Sequence, residues 1–167
     1  MPLVISNSST LIHLSAIGRL ALLKEFYGKI TIPAAVWREV VEEGKGRVGA
    51  VEVEQAHQDG WIDVISCEDE PVLRLLKRDL DEGEAEAITL SISLRADLVL
   101  LDETEARGVA ELYGLQKTGV IGVLMLAKQT GKIQSLRVEL EKLRDQAGFW
   151  IDEELYRQVL RAVGEES

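Results

Sequence analysis

Four polar residues stand where apolar runs end or helices begin, and their side chains suit the binding of a hard cation. Asn7 follows Val4-Ile5-Ser6, and Glu39 lies in Trp37-Arg38-Glu39-Val40-Val41, beside an apolar stripe. Glu84 falls in Asp81-Glu82-Gly83-Glu84, ahead of a mostly apolar stretch. Asp102 ends Leu98-Val99-Leu100-Leu101-Asp102. Oxygen donors of this kind hold Mg2+ or Mn2+. Carboxylates crowded onto one point repel each other until a cation relieves them. The cation in turn acidifies water and neutralises charge on a phosphate. Asn7 offers a carbonyl oxygen but no charge. At an effective dielectric near 20, one ligand charge about 4 Å away is worth roughly 4 kcal/mol before desolvation reduces it. Weaker metal binding is therefore the expected direction.

Singly, each residue has an ordinary explanation. The chain carries 29 Asp and Glu, so most must be solvated surface groups. The helix dipole favours acids in first turns, and asparagine before a helix is a common cap. Only the joint placement points to a site.

The elements that must position these residues can be read from periodicity. Leu3 to Ser6 reads as a short buried strand, with Ser8 or Ser9 capping a helix through about Ile17. A second helix is expected over Arg19 to Tyr27, and a second strand over Lys29 to Ile32. Pro33 suits the first turn of the next helix, along which Val36, Trp37, Val40 and Val41 form an apolar stripe. Gly44 to Gly49 is turn-rich. Further helices are expected over Val51 to Gln58, Pro71 to Leu80 and the Asp81 to Leu94 stretch. Strand alternation runs over Trp61 to Ser66. Leu98 to Asp102 is a fully buried strand, followed by helices over Glu103 to Tyr113, Val120 to Gln129, Leu136 to Gln146 and Asp152 to Val163. Short apolar strands alternating with helices give an α/β fold: three layers, α/β/α, around a mainly parallel central sheet. Residues 1–167 read as a single domain. Chemistry in such folds gathers outside the carboxyl ends of the strands, where Asn7 and Asp102 fall.

Composition narrows the function. Apolar residues make up 46% of the chain, yet no run is long enough to span a bilayer, and no secretory signal is apparent. Cys67 is the single cysteine, which excludes an intrachain disulfide and a cysteine-cluster metal site. The expected compartment is the cytoplasm. A net charge of −10 argues against a broad basic face for nucleic acid, but not against phosphate contact through a cation held by carboxylates.

The segments ISNSSTLIHL, IPAAVWREVVEEG, DEGEAEAITLS, LVLLDETEARGVAELYGL and TGVIGVLMLAKQTGKI, in this order over nearly the whole chain, resemble the PIN domain superfamily, in particular an uncharacterised PIN-like (VapC-like) prokaryotic branch. The resemblance implies a metal-dependent ribonuclease fold found in many toxin–antitoxin pairs. Its acids bind one or two Mg2+ or Mn2+ ions, and water activated there attacks an RNA phosphodiester. Matched by motif, the acidic positions fall on Asn7, Glu39, Glu84 and Asp102, with Glu103 as an extra acid beside the last. Two departures stand out: Asn7 replaces the first aspartate, and Leu100 stands where a small hydroxyl is usual. The resemblance also implies an RNA substrate, an antitoxin protein as partner, and a homodimer.

Other signals carry less. Gly44-Lys45-Gly46-Arg47-Val48-Gly49 matches a dinucleotide-binding pattern, but follows a helix instead of a strand. Lys45 and Arg47 are candidates for phosphate contact from that turn. His13 and His57 lack metal-ligand spacing, and a structural role is expected for both. Ser8 and Ser9 lack a nucleophile-elbow context, though Ser9 is placed to support the first site position. Arg107 is expected to pair at the surface, and Thr118-Gly119 to act as a cap. The stripes Leu124, Leu126, Ala127 and Leu136, Leu140, Leu143 are core or subunit-contact faces. The leading expectation is a metal-dependent endoribonuclease of PIN type with its site in full form or weakened by Asn7, a candidate toxin of a toxin–antitoxin pair. The alternative is a catalytically inactive PIN-like module that binds RNA or a protein partner. A third is a metal phosphatase on a related fold.

Overall fold

Short apolar runs become strands here because helices cover both of their faces. The computed structural model describes residues 2–166. In chain order its elements are β1 (Val4–Ser6), α1 (Ser8–Ala16), α2 (Ala21–Tyr27), β2 (Ile30–Pro33) and α3 (Ala34–Trp37), which runs into a π-helical turn (Arg38–Glu42). Then come α4 (Ala50–Gln58), β3 (Ile62–Ile65), α5 (Pro71–Leu76), α6 (Glu82–Ser93) and β4 (Leu98–Leu100). The chain continues through α7 (Thr104–Leu112), β5 (Lys117–Thr118), α8 (Val120–Gln129), α9 (Leu136–Ala147) and α10 (Glu153–Ala162).

The five strands form one sheet in the order β3-β2-β1-β4-β5, and every pairing is parallel. Side chains alternate between its faces. Val4 and Leu100 enter one apolar cluster with α1, α2, α4, α8, α9 and α10. Ile5, Val99 and Leu101 enter another with α5, α6 and α7. The three-layer α/β/α expectation is met. Chain order reverses between β1 and β4, which pair as Val4 with Leu98, Ile5 with Val99 and Ser6 with Leu100. The crevice beyond that pair is the topological switch point, where such folds collect ligands. Among the described residues, no helix is long and apolar enough to cross a membrane.

Several local expectations change. Pro33 ends β2 in extended conformation (φ −72°, ψ 159°) instead of opening the helix. The following helix widens at Arg38–Glu42, where the Glu43 N–H reaches the Arg38 carbonyl five residues back at 2.7 Å; such turns recur at functional sites. Arg19 belongs to the close of α1, its N–H donating to the Leu14 carbonyl across Gly18, whose φ of +71° favours glycine. Helix α5 stops at Leu76, and residues 77–80 close as a turn. Lys117–Thr118 pairs with Val99 and Leu100 as an edge strand where only a cap was expected; two residues are too few to show a period.

Candidate functional site

Asn7 is 1% exposed and immediately follows β1. Its backbone N–H donates to the Leu100 carbonyl at 3.1 Å, tying it to the end of β4. Asn7, and neither Ser8 nor Ser9, caps α1: its Oδ1 accepts from the Thr10 N–H at 3.3 Å, an interaction worth about 1 kcal/mol. Its Nδ2 donates to Glu103 Oε2 at 3.3 Å, and Ser9 Oγ donates to Glu103 Oε1 at 2.5 Å. The amide thus sits against an acid from the other side of the switch point.

Glu84 arrives from the first turn of α6. Asp81 caps that helix, accepting from the Glu84 N–H at 2.7 Å, while Glu84 Oε1 accepts from the Asp81 N–H at 3.2 Å, a reciprocal capping box. Glu84 is 7% exposed. Burial pushes its carboxyl up to about 7, and the charges of Asp81 and Glu103 push the same way, against the bond from the Asp81 backbone. Glu39, from the π-helical turn, is raised too: burial leads, the Ser8 hydroxyl opposes, and the charges of Asp81, Glu43 and Glu103 add. Gly83 allows this approach. A Cβ there would lie 3.3 Å from Glu39 Oε2 and 3.5 Å from Ser8 Oγ. Ser8 Oγ is buried beside Glu39 without a full hydrogen bond among the described residues.

Asp102 goes elsewhere. Its Oδ2 pairs with His13 Nδ1 at 2.7 Å, and its Oδ1 accepts from the Val120 N–H at 2.7 Å, which caps α8. A Cβ on Gly119 would strike Asp102 Oδ1 and come within 2.8 Å of the Leu101 carbonyl, so glycine permits the approach. Of the four residues singled out by sequence, Asn7, Glu39 and Glu84 converge with Glu103. Asp102 lies beside them with both oxygens engaged. Asp81, not singled out, joins the cluster.

The remaining expectations divide. His13 is structural through Asp102, and His57 through a 2.8 Å contact of its Nδ1 with the Ile62 carbonyl. Arg107 does not pair at the surface; its Nη1 donates to the Leu101 carbonyl at 3.1 Å. Lys45 and Arg47 are exposed on the 44–49 turn. Glu86 was also overlooked. It is 7% exposed, and its Oε1 accepts from the Ala35 N–H at 3.2 Å, capping the short α3.

The donor set fits a hard divalent cation in kind. It contains only oxygen ligands, the Glu39 and Glu84 carboxyls are raised by burial first and by neighbouring acids second, and the Ser8 hydroxyl, without a full hydrogen bond among the described residues, lies beside Glu39. It is not closed around a point: among the described residues, no three His, Cys, Asp or Glu side chains are grouped closely enough to hold a metal ion. The Asn7 amide adds no charge there, and the raised value of Glu84 favours its neutral form below about 7.

A parallel sheet with carboxyls gathered at its switch point defines a doubly wound α/β domain with an acidic crevice. A family model described as a PIN domain matches residues 3–165, and the chain belongs to that family, whose members are generally nucleases. Among solved structures the chain is similar to a PilT N-terminus domain protein, SSO1118, from the hyperthermophilic archaeon Sulfolobus solfataricus P2. Identity is 16%, covering 72% of this chain and 90% of that one, with a TM-score of 0.54. At that identity the likeness shows the fold alone. Comparison with curated proteins finds no match.

Proposed function

We propose that this chain is a metal-dependent endoribonuclease of PIN type whose site is weakened by Asn7. The observation that carries this reading is Glu84, buried at the switch point and raised to about 7 by burial, Asp81 and Glu103. Glu39, Glu84 and Glu103 would hold Mg2+ or Mn2+ only by drawing closer together than they stand in the structure, with Asn7 Oδ1 as a neutral neighbour. Asp102 would join only by giving up His13 or the Val120 N–H. When bound, the cation supplies Lewis acidity and neutralises charge developing on an RNA phosphodiester.

The chain's own residues set the rest. Glu84 Oε1 is tied to the Asp81 N–H, which leaves Oε2 to carry the proton and donate toward Glu103. Asn7 Nδ2 and Ser9 Oγ orient Glu103 from the opposite side. The family also implies an antitoxin partner and a homodimer, and we take the cytoplasm as the compartment.

A second reading, a catalytically inactive PIN-like module that binds RNA or a protein, is favoured by one observation: the Asn7 amide has both its oxygen and its nitrogen engaged. Asn7→Asp separates the two. Under the first reading it tightens Mn2+ binding about 10-fold or more and raises Mn2+-dependent RNA cleavage, and Glu84→Gln abolishes both gains. Absence of metal binding by both wild type and Asn7→Asp, with the fold intact, selects the second reading. Cleavage of a small phosphoester but not RNA contradicts the ribonuclease assignment.

A further inference from the structure

A cleft of about 520 Å³ opens beside the end of β4, between α7, α8 and α10. Its inner end is formed by Asp102, Arg107 and Thr118, and its wall by Met125, Phe149 and Leu155. Trp150 stands at its rim and is 78% exposed. An indole so open is unusual unless something lies against it, since burying an aromatic ring is worth more than burying most side chains. The cleft is tied rigidly to the candidate site. Phe149 packs edge-on against His13, ring centres 4.8 Å apart at 71°, and His13 holds Asp102, the neighbour of Glu103.

The polar end fits an anion although Asp102 lies there, because both oxygens of Asp102 are engaged, by His13 and by the Val120 N–H. Among the described residues Arg107 forms no ion pair, and its one protein partner is the Leu101 carbonyl, taken by Nη1. In a chain of net charge −10, a guanidinium left for a ligand beside an acidic crevice suits a phosphate next to the one that the ribonuclease reading would place in the crevice. Asp152, the acid at the outer rim, is occupied in capping α10 through the Leu155 N–H at 2.9 Å. The cleft therefore pairs a flat apolar face with one cation at its phosphate-facing end. Single-strand binders use the same pairing: bases stack on aromatic rings while cations track the backbone.

We propose that this cleft receives an unpaired nucleobase of a single-stranded RNA, stacked on Trp150, with Arg107 facing the adjoining phosphate. The proposal rests on the ribonuclease reading for its substrate class, and names the subsite that would position the strand. Stacking is blind to base identity, so little sequence preference is expected from this cleft. A duplex, whose bases are already stacked, has no face to offer.

The test uses the full chain in EDTA, where binding is separated from cleavage, with a short fluorescent single-stranded RNA and its duplex as probes read by anisotropy. Trp150→Ala is expected to weaken single-strand binding roughly 5- to 150-fold, Trp150→Phe to restore most of it, and duplex binding to stay unchanged. Arg107→Gln is expected to lower the salt dependence of binding by about one phosphate contact. Equal affinity of Trp150→Ala and wild type, or no single-strand binding by wild type, overturns the proposal. So does a Trp150→Ala variant that loses self-association while its RNA affinity holds, since the face would then be a contact between copies. Failure of the ribonuclease reading shows separately, as binding that depends on Trp150 in a protein that cleaves no RNA with Mg2+ or Mn2+.

Discussion

Glu139 and Glu84 are both buried glutamates, 3% and 7% exposed, and the fold treats them in opposite ways. Glu139, in α9, faces Arg19 at 2.8 and 3.2 Å, with Lys142 adding a third contact. Burial pushes its carboxyl up, but Arg19 and Lys142 outweigh burial and hold it below the ordinary range. Glu84 has equal need of a cation and has Asp81 and Glu103 instead. A paired buried acid helps hold two elements together. An acid buried among acids opposes folding near neutral pH, and the protein keeps it only where something else gains. The difference is what singles out the crevice at β1 and β4 as the proposed functional end of the molecule.

Breaking the satisfied pair should give the largest effect. Arg19→Ala leaves Glu139 buried with only Lys142, and is expected to destabilise by about 2–3 kcal/mol in urea unfolding at pH 7, below the full value for an enclosed pair because Arg19 is partly exposed. The effect shrinks as pH falls through the lowered Glu139 value, since protonation removes the attraction in both proteins. An unchanged midpoint would remove one side of the comparison.

Relieving the unsatisfied acid should have the opposite sign. A folded-state value raised above the ordinary 4.5 to about 7 means the native state binds more protons between those limits, so its stability falls as pH rises across them. Glu84→Gln is expected to stabilise by about 1–2 kcal/mol above pH 7, and to have little effect below the ordinary carboxylate value. A uniform effect at every pH would mean that packing, not charge, limits this site.

Asn7→Asp sharpens the contrast further. The aspartate still caps α1, but replaces a donor to Glu103 with another charge. The metal-free protein is expected to lose about 1 kcal/mol, and Mn2+ to restore it by binding the native state. Equal thermal midpoints with and without Mn2+ would count against a cation site.

Much of this arrangement was legible in the sequence, for reasons that also explain what was not. Asn7, Glu39 and Glu84 stand beside periodic apolar runs, so their positions at strand and helix ends follow from local pattern. At the end of β4 two acids are adjacent, and local pattern is indifferent to which one reaches the carboxyls of Glu39 and Glu84. Asp102 is taken by His13 and by the Val120 N–H, and Glu103 by Asn7 and Ser9, and contacts with His13, Asn7 and Ser9 exist only once β1 and β4 have paired. In the sequence Asp81 reads only as the start of an acidic helical stretch; it caps α6, and its place beside Glu39 and Glu84 appears only when α6 packs beside the π-helical turn. That turn has no sequence signature as distinct as a cap, and Trp150 lies in a segment too irregular to show a period.

The most direct test of the central claim is the titration of the Glu84 side-chain carboxyl by carbon-detected NMR, with and without Mg2+. The expected result is a midpoint near 7 in the metal-free protein that moves down toward the ordinary carboxylate range as Mg2+ is added. A midpoint already in that range and indifferent to Mg2+ would contradict it: the crevice would then hold no strained acids for a cation to relieve.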